Sequence, residues 1–166
     1  MRLHDLPGPL AYFVSFRTYG TWLHGDRRGS MDRLRNAFGE PPIPENIGWE
    51  VYESRALQRR PVILGPAQRK ATLEAIRETC ALRSWELHAV NIRTNHGHVV
   101  VKAAASIDVV LTAFKANATR RMRLTGAWSD NGSPWSRGGS RRYIWTPLQL
   151  SRAIRYVIDG QGVDLD

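Results

Sequence analysis

Two sets of residues in this 166-residue chain have types and spacing that could do chemistry. The first is His96-Gly97-His98. Residues i and i+2 of a β-strand point to the same side, about 7 Å apart. His96 and His98 therefore face one way in an extended segment, and Gly97, Val99 and Val101 the other. Two imidazoles so placed can converge on one divalent cation, with a third ligand supplied from elsewhere. The second is Tyr156. Drawn as a helix, residues 149–160 carry Leu150, Ala153, Ile154, Val157 and Ile158 on one apolar face. Tyr156 lies about 120° from the centre of that face, on a side shared with Gln149 and Arg152. A phenol is a usable phosphate nucleophile once a cation neutralises the phosphate and guanidinium groups hold it. Together the two sets make a device for cutting a phosphodiester, and a phosphotyrosine link would keep the bond energy for rejoining. Alone, each set has a plainer reading: partly exposed strand histidines, and a tyrosine at the rim of a core.

The elements that must position these groups follow from the patterning. Ala11 to Thr18 is dense in aromatic and β-branched residues and predicts a strand. Gly20 to about Arg60 has no clear period and reads as an irregular insertion after that strand. Residues 65–83 read as a helix, with Pro66 in the first turn and Leu73, Ile76 and Cys80 on one face. Trp85–Arg93 and His96–Ala103 form a hairpin about a tight turn. Ser106 caps an amphipathic helix in which Ile107, Val110, Leu111, Phe114 and Ala118 repeat at helical spacing. After a Gly- and Ser-rich loop, residues 141–145 are a short strand. Thr146, Pro147 and Gln149 form a capping box for a last helix over 146–160, closed by Gly160.

That order, βαββαβ and one more helix, is the split βαβ, ferredoxin-like arrangement. It predicts an α+β fold: a four-stranded antiparallel sheet with two helices on one face. The C-terminal helix, which carries the tyrosine, is left to dock across the helix-free face where the histidines point.

Bulk properties fit one domain over residues 1–166. No apolar run reaches the ~20 residues of a membrane span, and the first ten residues lack a signal-peptide core. With Cys80 as the only cysteine, no intrachain disulfide is possible, and a cytoplasmic location is expected. The net charge of +9 points to a polyanion, with nucleic acid first. Only Lys70, Lys102 and Lys115 are lysines; the other cations are arginines, whose planar fork suits phosphate.

The histidine pair, the "FKxxxTRRM" helix and the C-terminal "AIRYVIDGQG" resemble the small single-tyrosine HUH transposases, which include the insertion-sequence and REP-associated tyrosine transposases. The resemblance runs from "AYFVSFRTYGTW" to "YVIDGQG" in the same element order. It implies a nuclease and strand transferase acting on single-stranded DNA, often next to a hairpin, in a bacterial, nucleoid-associated setting. His96 and His98 would bind Mg²⁺ or Mn²⁺. Tyr156 would attack the scissile phosphate, leaving a 5′-phosphotyrosine and a free 3′-hydroxyl. A homodimer is implied, in some members with one chain's tyrosine beside the other's histidines. The family usually has a bulky apolar residue between the histidines, where this chain has Gly97. It also tends to place a polar third ligand one helical turn after the tyrosine. That position is Gly160 here, so the expected third ligand is Gln161, with Asp159 as its rival.

Further residues are expected on DNA. Lys115, Thr119 and Arg123 form an i, i+4, i+8 stripe for phosphate contact, with Lys115 nearest the site. Arg137, Arg141 and Arg142 sit in or beside a flexible basic loop, and Arg152 is one turn before the tyrosine. Trp22, Arg27 and Arg28 suit base stacking and phosphate contact. Tyr143 is the rival nucleophile, with packing as its favoured role. The competing class of function is a DNA- or RNA-hairpin binding module that does not cleave. A metallohydrolase of small phosphoesters would leave the positive charge unexplained.

Overall fold

The computed structural model describes residues 8–21 and 44–160. In chain order the elements are β1 (Ala11–Arg17), α1 (Ile47–Ala56), α2 (Pro66–Leu82), β2 (Glu86–Ile92), β3 (His96–Lys102), α3 (Ile107–Leu124), β4 (Ser140–Ile144) and α4 (Pro147–Asp159). The strands form one sheet in the order β2-β3-β1-β4, and every pairing is antiparallel. This is the expected α+β, ferredoxin-like arrangement.

Strand alternation divides the core into two layers. Tyr12, Val14 and Phe16 of β1 and Val99 and Val101 of β3 face α2 and α3, where they meet Ala75, Ile76, Val110, Leu111 and Phe114. On the opposite face Ala11, Ala89, Val100 and Ile144 pack under Val157 of α4. Burying a side chain the size of Val157 contributes about 1.5–3 kcal/mol, and Val157 is the one fully buried residue of that helix. The last helix therefore docks where the patterning leaves a bare sheet face. Its start is the expected capping box: Gln149 N donates to Thr146 Oγ1 at 3.2 Å, and Thr146 N donates to Gln149 Oε1 at 3.2 Å.

Two expectations change. Part of the Gly20–Arg60 stretch, which shows no period, is helical: Asn46 caps α1 by accepting from Trp49 N at 3.1 Å. No residue of α1 is buried, so no face needed an apolar stripe, and the period that reveals other helices has no cause here. In α2 the inward face is Ala71, Thr72, Ala75, Ile76, Thr79 and Cys80. Leu73 lies beside that face and not on it.

The segment after α3 is tied down by polar contacts. Trp135 Nε1 donates to Lys115 O and Thr119 Oγ1, both at 3.0 Å. Ser136 N donates to Arg17 O at 2.9 Å, and Ser136 Oγ to Thr18 O at 2.8 Å. These contacts draw the loop along the end of β1 before it enters β4. No helix among the described residues is long and apolar enough to cross a membrane.

Candidate active site

His96 and His98 stand on the α4 side of β3, as the strand period requires. Their ring centroids are 4.8 Å apart. Register builds the surroundings: Ser15 of β1 and Asn91 of β2 lie opposite His98, and Arg17 lies opposite His96. Each ring has a partner for Nδ1. His96 Nδ1 is 2.7 Å from Asn95 Oδ1, an acceptor, so this nitrogen carries the proton. His98 Nδ1 is 2.7 Å from Ser15 Oγ. Imidazoles held at Nδ1 present Nε2, and an oriented second nitrogen is the usual accompaniment of a metal-ligating histidine.

The electrostatics keep His98 neutral. Burial is the main cause, and His96, Arg17 and Arg142 add positive charge around it, so its pKa falls to about 3. A neutral imidazole is the form that ligates a cation. The same arginines give this face a positive field suited to phosphate.

Tyr156 reaches the pair from above. Its ring centroid is 5.6 Å from that of His98, at 71° between planes. Phe13 of β1 completes a triangle of rings with them, 5.9 Å from Tyr156 and 5.5 Å from His98. The helix that carries Tyr156 is pinned at the adjacent residue, where Asn91 Nδ2 donates to Val157 O at 3.1 Å. Tyr156 nevertheless remains 47% exposed, so the phenol is anchored at its base and open to a large substrate.

Glycine occupies the two positions where the resemblance leads one to expect a larger side chain. A Cβ at Gly97 would lie 2.6 Å from Phe16 Cζ and 2.9 Å from Ile92 Cδ1. The apolar bulk belongs to Phe16, directly opposite on β1. Glycine here leaves no hole; it makes room for a neighbour's ring. A Cβ at Gly160 would lie 2.7 Å from Tyr156 O and 3.0 Å from Tyr156 Cδ2. A side chain one turn after the tyrosine would therefore crowd Tyr156 and require the end of α4 to shift.

Other expected site residues are placed differently. Among the described residues no three His, Cys, Asp or Glu side chains gather as a metal site. Asp159 therefore does not join the histidine pair; it lines a shallow groove on the flank of α4 with Ser151, Arg155 and Ile158. Gln161, Trp22, Arg27 and Arg28 lie outside the described residues. Lys115 is not turned to a phosphate: its Nζ donates to Ser136 O at 2.6 Å and Gly138 O at 2.9 Å. Burial lowers its pKa, with Arg141 adding to the effect. Thr119 receives Trp135, and Arg123 donates to Asn131 O at 3.2 Å. The stripe is an anchor for the loop. Arg141 pairs with Asp108 on the α2/α3 side, whereas Arg142 stands by His98. Arg137 and Arg152 are exposed. Ser15, Arg17, Asn91 and Phe13 were not expected at the site. The alternation in "FVSFR" sets Phe13, Ser15 and Arg17 on one face of β1, but only the register reveals that this face meets the histidines.

The family model for IS200-like transposases matches residues 55–146, more than half of the chain and both histidines. The chain belongs to the IS200-like transposase family. Tyr156 lies beyond the matched segment of this transposase, so its role rests on the geometry above. Two solved structures are similar. A candidate transposase from Deinococcus radiodurans R1 aligns over 99% of this chain and 99% of its own, at 10% identity and a TM-score of 0.48. A REP-associated tyrosine transposase, determined bound to a REP hairpin, aligns over 95% of this chain and 68% of its own, at 11% identity and a TM-score of 0.45. No curated protein matches the chain.

Proposed function

We propose that this transposase cuts and rejoins single-stranded DNA next to a hairpin, with Tyr156 as nucleophile. The carrying observation is the approach of the Tyr156 ring to His98, 5.6 Å between centroids, across the gap between α4 and the sheet. The phenol oxygen attacks the scissile phosphorus and gives up its proton. The bond from phosphorus to the 3′-oxygen breaks, and that oxygen takes up a proton. The products are a 5′-phosphotyrosine and a free 3′-hydroxyl, and attack by another 3′-hydroxyl reverses the step. Arg17 and Arg142 draw the phosphate to this face, while Asn91 and Phe13 hold the tyrosine over it.

The donor set fits a divalent cation: two imidazoles on one face, each held at Nδ1, with His98 kept neutral. His96 and His98 would hold Mg²⁺ or Mn²⁺, and Gln161 remains the proposed third ligand. When bound, the cation supplies Lewis acidity to the scissile phosphate. A homodimer at the nucleoid is part of the same reading. The test is incubation with Mn²⁺ and hairpin-bearing single strands, followed by denaturing electrophoresis. A covalent protein–DNA adduct is expected, and Tyr156→Phe should abolish it. An adduct that persists in Tyr156→Phe assigns the nucleophile elsewhere; no adduct with any strand leaves a hairpin-binding module.

Ser15 offers a separate check on the metal. With its hydroxyl removed, the His98 ring loses the partner that orients it. Ser15→Ala should weaken Mn²⁺ binding about 10- to 100-fold, read by calorimetry without DNA. An unchanged Kd would show that Ser15 does not position the ligand.

A further inference from the structure

Tyr143 and Trp145 lie at the β4 edge of the sheet, away from the candidate active site. Their ring centroids are 6.1 Å apart with only 23° between planes. Both are more than half exposed, at 51% and 55%. Tyr12 meets the inner side of the stack edge-on, with centroids 5.6 Å apart from Tyr143, and is itself tied to Ala105 O by its hydroxyl at 2.9 Å. The stack is therefore held from behind and open in front. Large aromatic rings that fill a core are not left in this state, and an exposed, mutually stacked pair marks a binding surface.

Position and charge indicate the occupant. Among the described residues β4 pairs only with β1 and stands at the edge of the sheet. Its residues alternate: Arg142 lies opposite Phe13 on the histidine side, while Arg141 and Tyr143 lie opposite Val14 and Tyr12 on the other. Ser140, opposite Ser15, marks the level of His98 on this strand. Tyr143 is three residues further along, about 10 Å at strand rise. A polyanionic strand leaving the histidine face over this edge would pass Arg142, then reach the rings beyond Arg141. Aromatic faces beside arginines are how proteins hold unpaired bases irrespective of sequence.

We propose that Tyr143 and Trp145 form a stacking platform for an unpaired base of the DNA strand that crosses the β4 edge. The platform rests on the reading that this protein handles single-stranded DNA, but not on cleavage by Tyr156. It adds a second point of grip a few nucleotides from the scissile phosphate, and so sets which unpaired arm of a hairpin substrate is held.

The test is fluorescence anisotropy with a labelled hairpin carrying unpaired arms, in EDTA so that no strand is cut. Trp145→Ala and Tyr143→Ala should each weaken binding about ten-fold, while Trp145→Phe and Tyr143→Phe keep most of the affinity. The salt dependence should be unchanged in all four, since no phosphate contact is removed. Abasic substitution along the arm should weaken wild-type binding at one position and have no effect there in Trp145→Ala. Adduct formation on a short strand that ends before the platform should be unaffected by Trp145→Ala. Two outcomes overturn the proposal: wild-type affinity in both alanine variants, or a change in sedimentation mass with no change in DNA affinity, which would make the rings a contact between copies of the chain. If Tyr156→Phe still yields an adduct, the nucleophile falls and the platform stands. If abasic positions have no effect although the adduct forms, the platform falls and the nucleophile stands.

Discussion

Gly97→Val should destabilise the protein by about 3 kcal/mol, the upper end of the range for overpacking a close-packed core. The side chain would enter the space taken by Phe16 and Ile92, with the first contact at 2.6 Å. A long flexible neighbour could swing aside, but Phe16 is an aromatic ring, 0% exposed, and braced edge-to-face by Trp135 at 5.0 Å. Relief has to come from the backbone of β3, which carries the histidines, or from the loop around Trp135, which is bonded to Arg17 opposite His96. Urea denaturation measures the loss. Phe16→Ala alone should cost about 3–5 kcal/mol by leaving a cavity. Because the two side chains compete for one space, the double variant should lose less than the sum of the single losses. Unchanged stability in Gly97→Val would mean that Phe16 is not fixed where the packing places it.

This pair shows what one-dimensional reading reaches and where it stops. The histidine faces, the docking of the last helix and the off-core Tyr156 all follow from local periods, because burial of one face is what writes those periods. That Gly97 belongs with Phe16 follows from strand register between residues 81 positions apart, which no local pattern encodes. Ser15 and Arg17 were hidden for the same reason. Lys115 misled in the opposite direction. Its spacing with Thr119 and Arg123 is that of a phosphate-binding stripe, yet the loop that crosses α3 supplies carbonyls to it, and helical spacing cannot tell a polar face turned to DNA from one turned to a loop. Helix α1 escaped detection because it buries nothing. Position 160 was legible as the end of a helix but not as a place where a side chain would crowd Tyr156.

Acid should expose His98 as a built-in weakness of the metal-free fold. Its folded pKa is about 3, against about 6.5 in an unfolded chain. Between those values the unfolded chain binds more protons than the folded one, so stability rises with pH across this window. The contribution is complete above pH 6.5 and is lost as the pH falls towards 3. At about 1.4 kcal/mol per pH unit, the loss on going from pH 6.5 to 4 is on the order of 3 kcal/mol. Asp130, whose pKa is lowered by the Gly132 backbone N–H, adds its own acid sensitivity, so the wild-type curve alone does not isolate the histidine. His98→Gln does. An amide keeps a polar contact for Ser15 but cannot titrate, and the flanking His96, Arg17 and Arg142 remain in place. In EDTA, the stability difference between His98→Gln and wild type should shift in favour of the variant by that amount as the pH is lowered, read from chemical denaturation at successive pH values. Curves that stay parallel from pH 7 to 4 would show that His98 accepts its proton without penalty. The half-buried, positively flanked setting assigned to it on the sheet face would then be wrong.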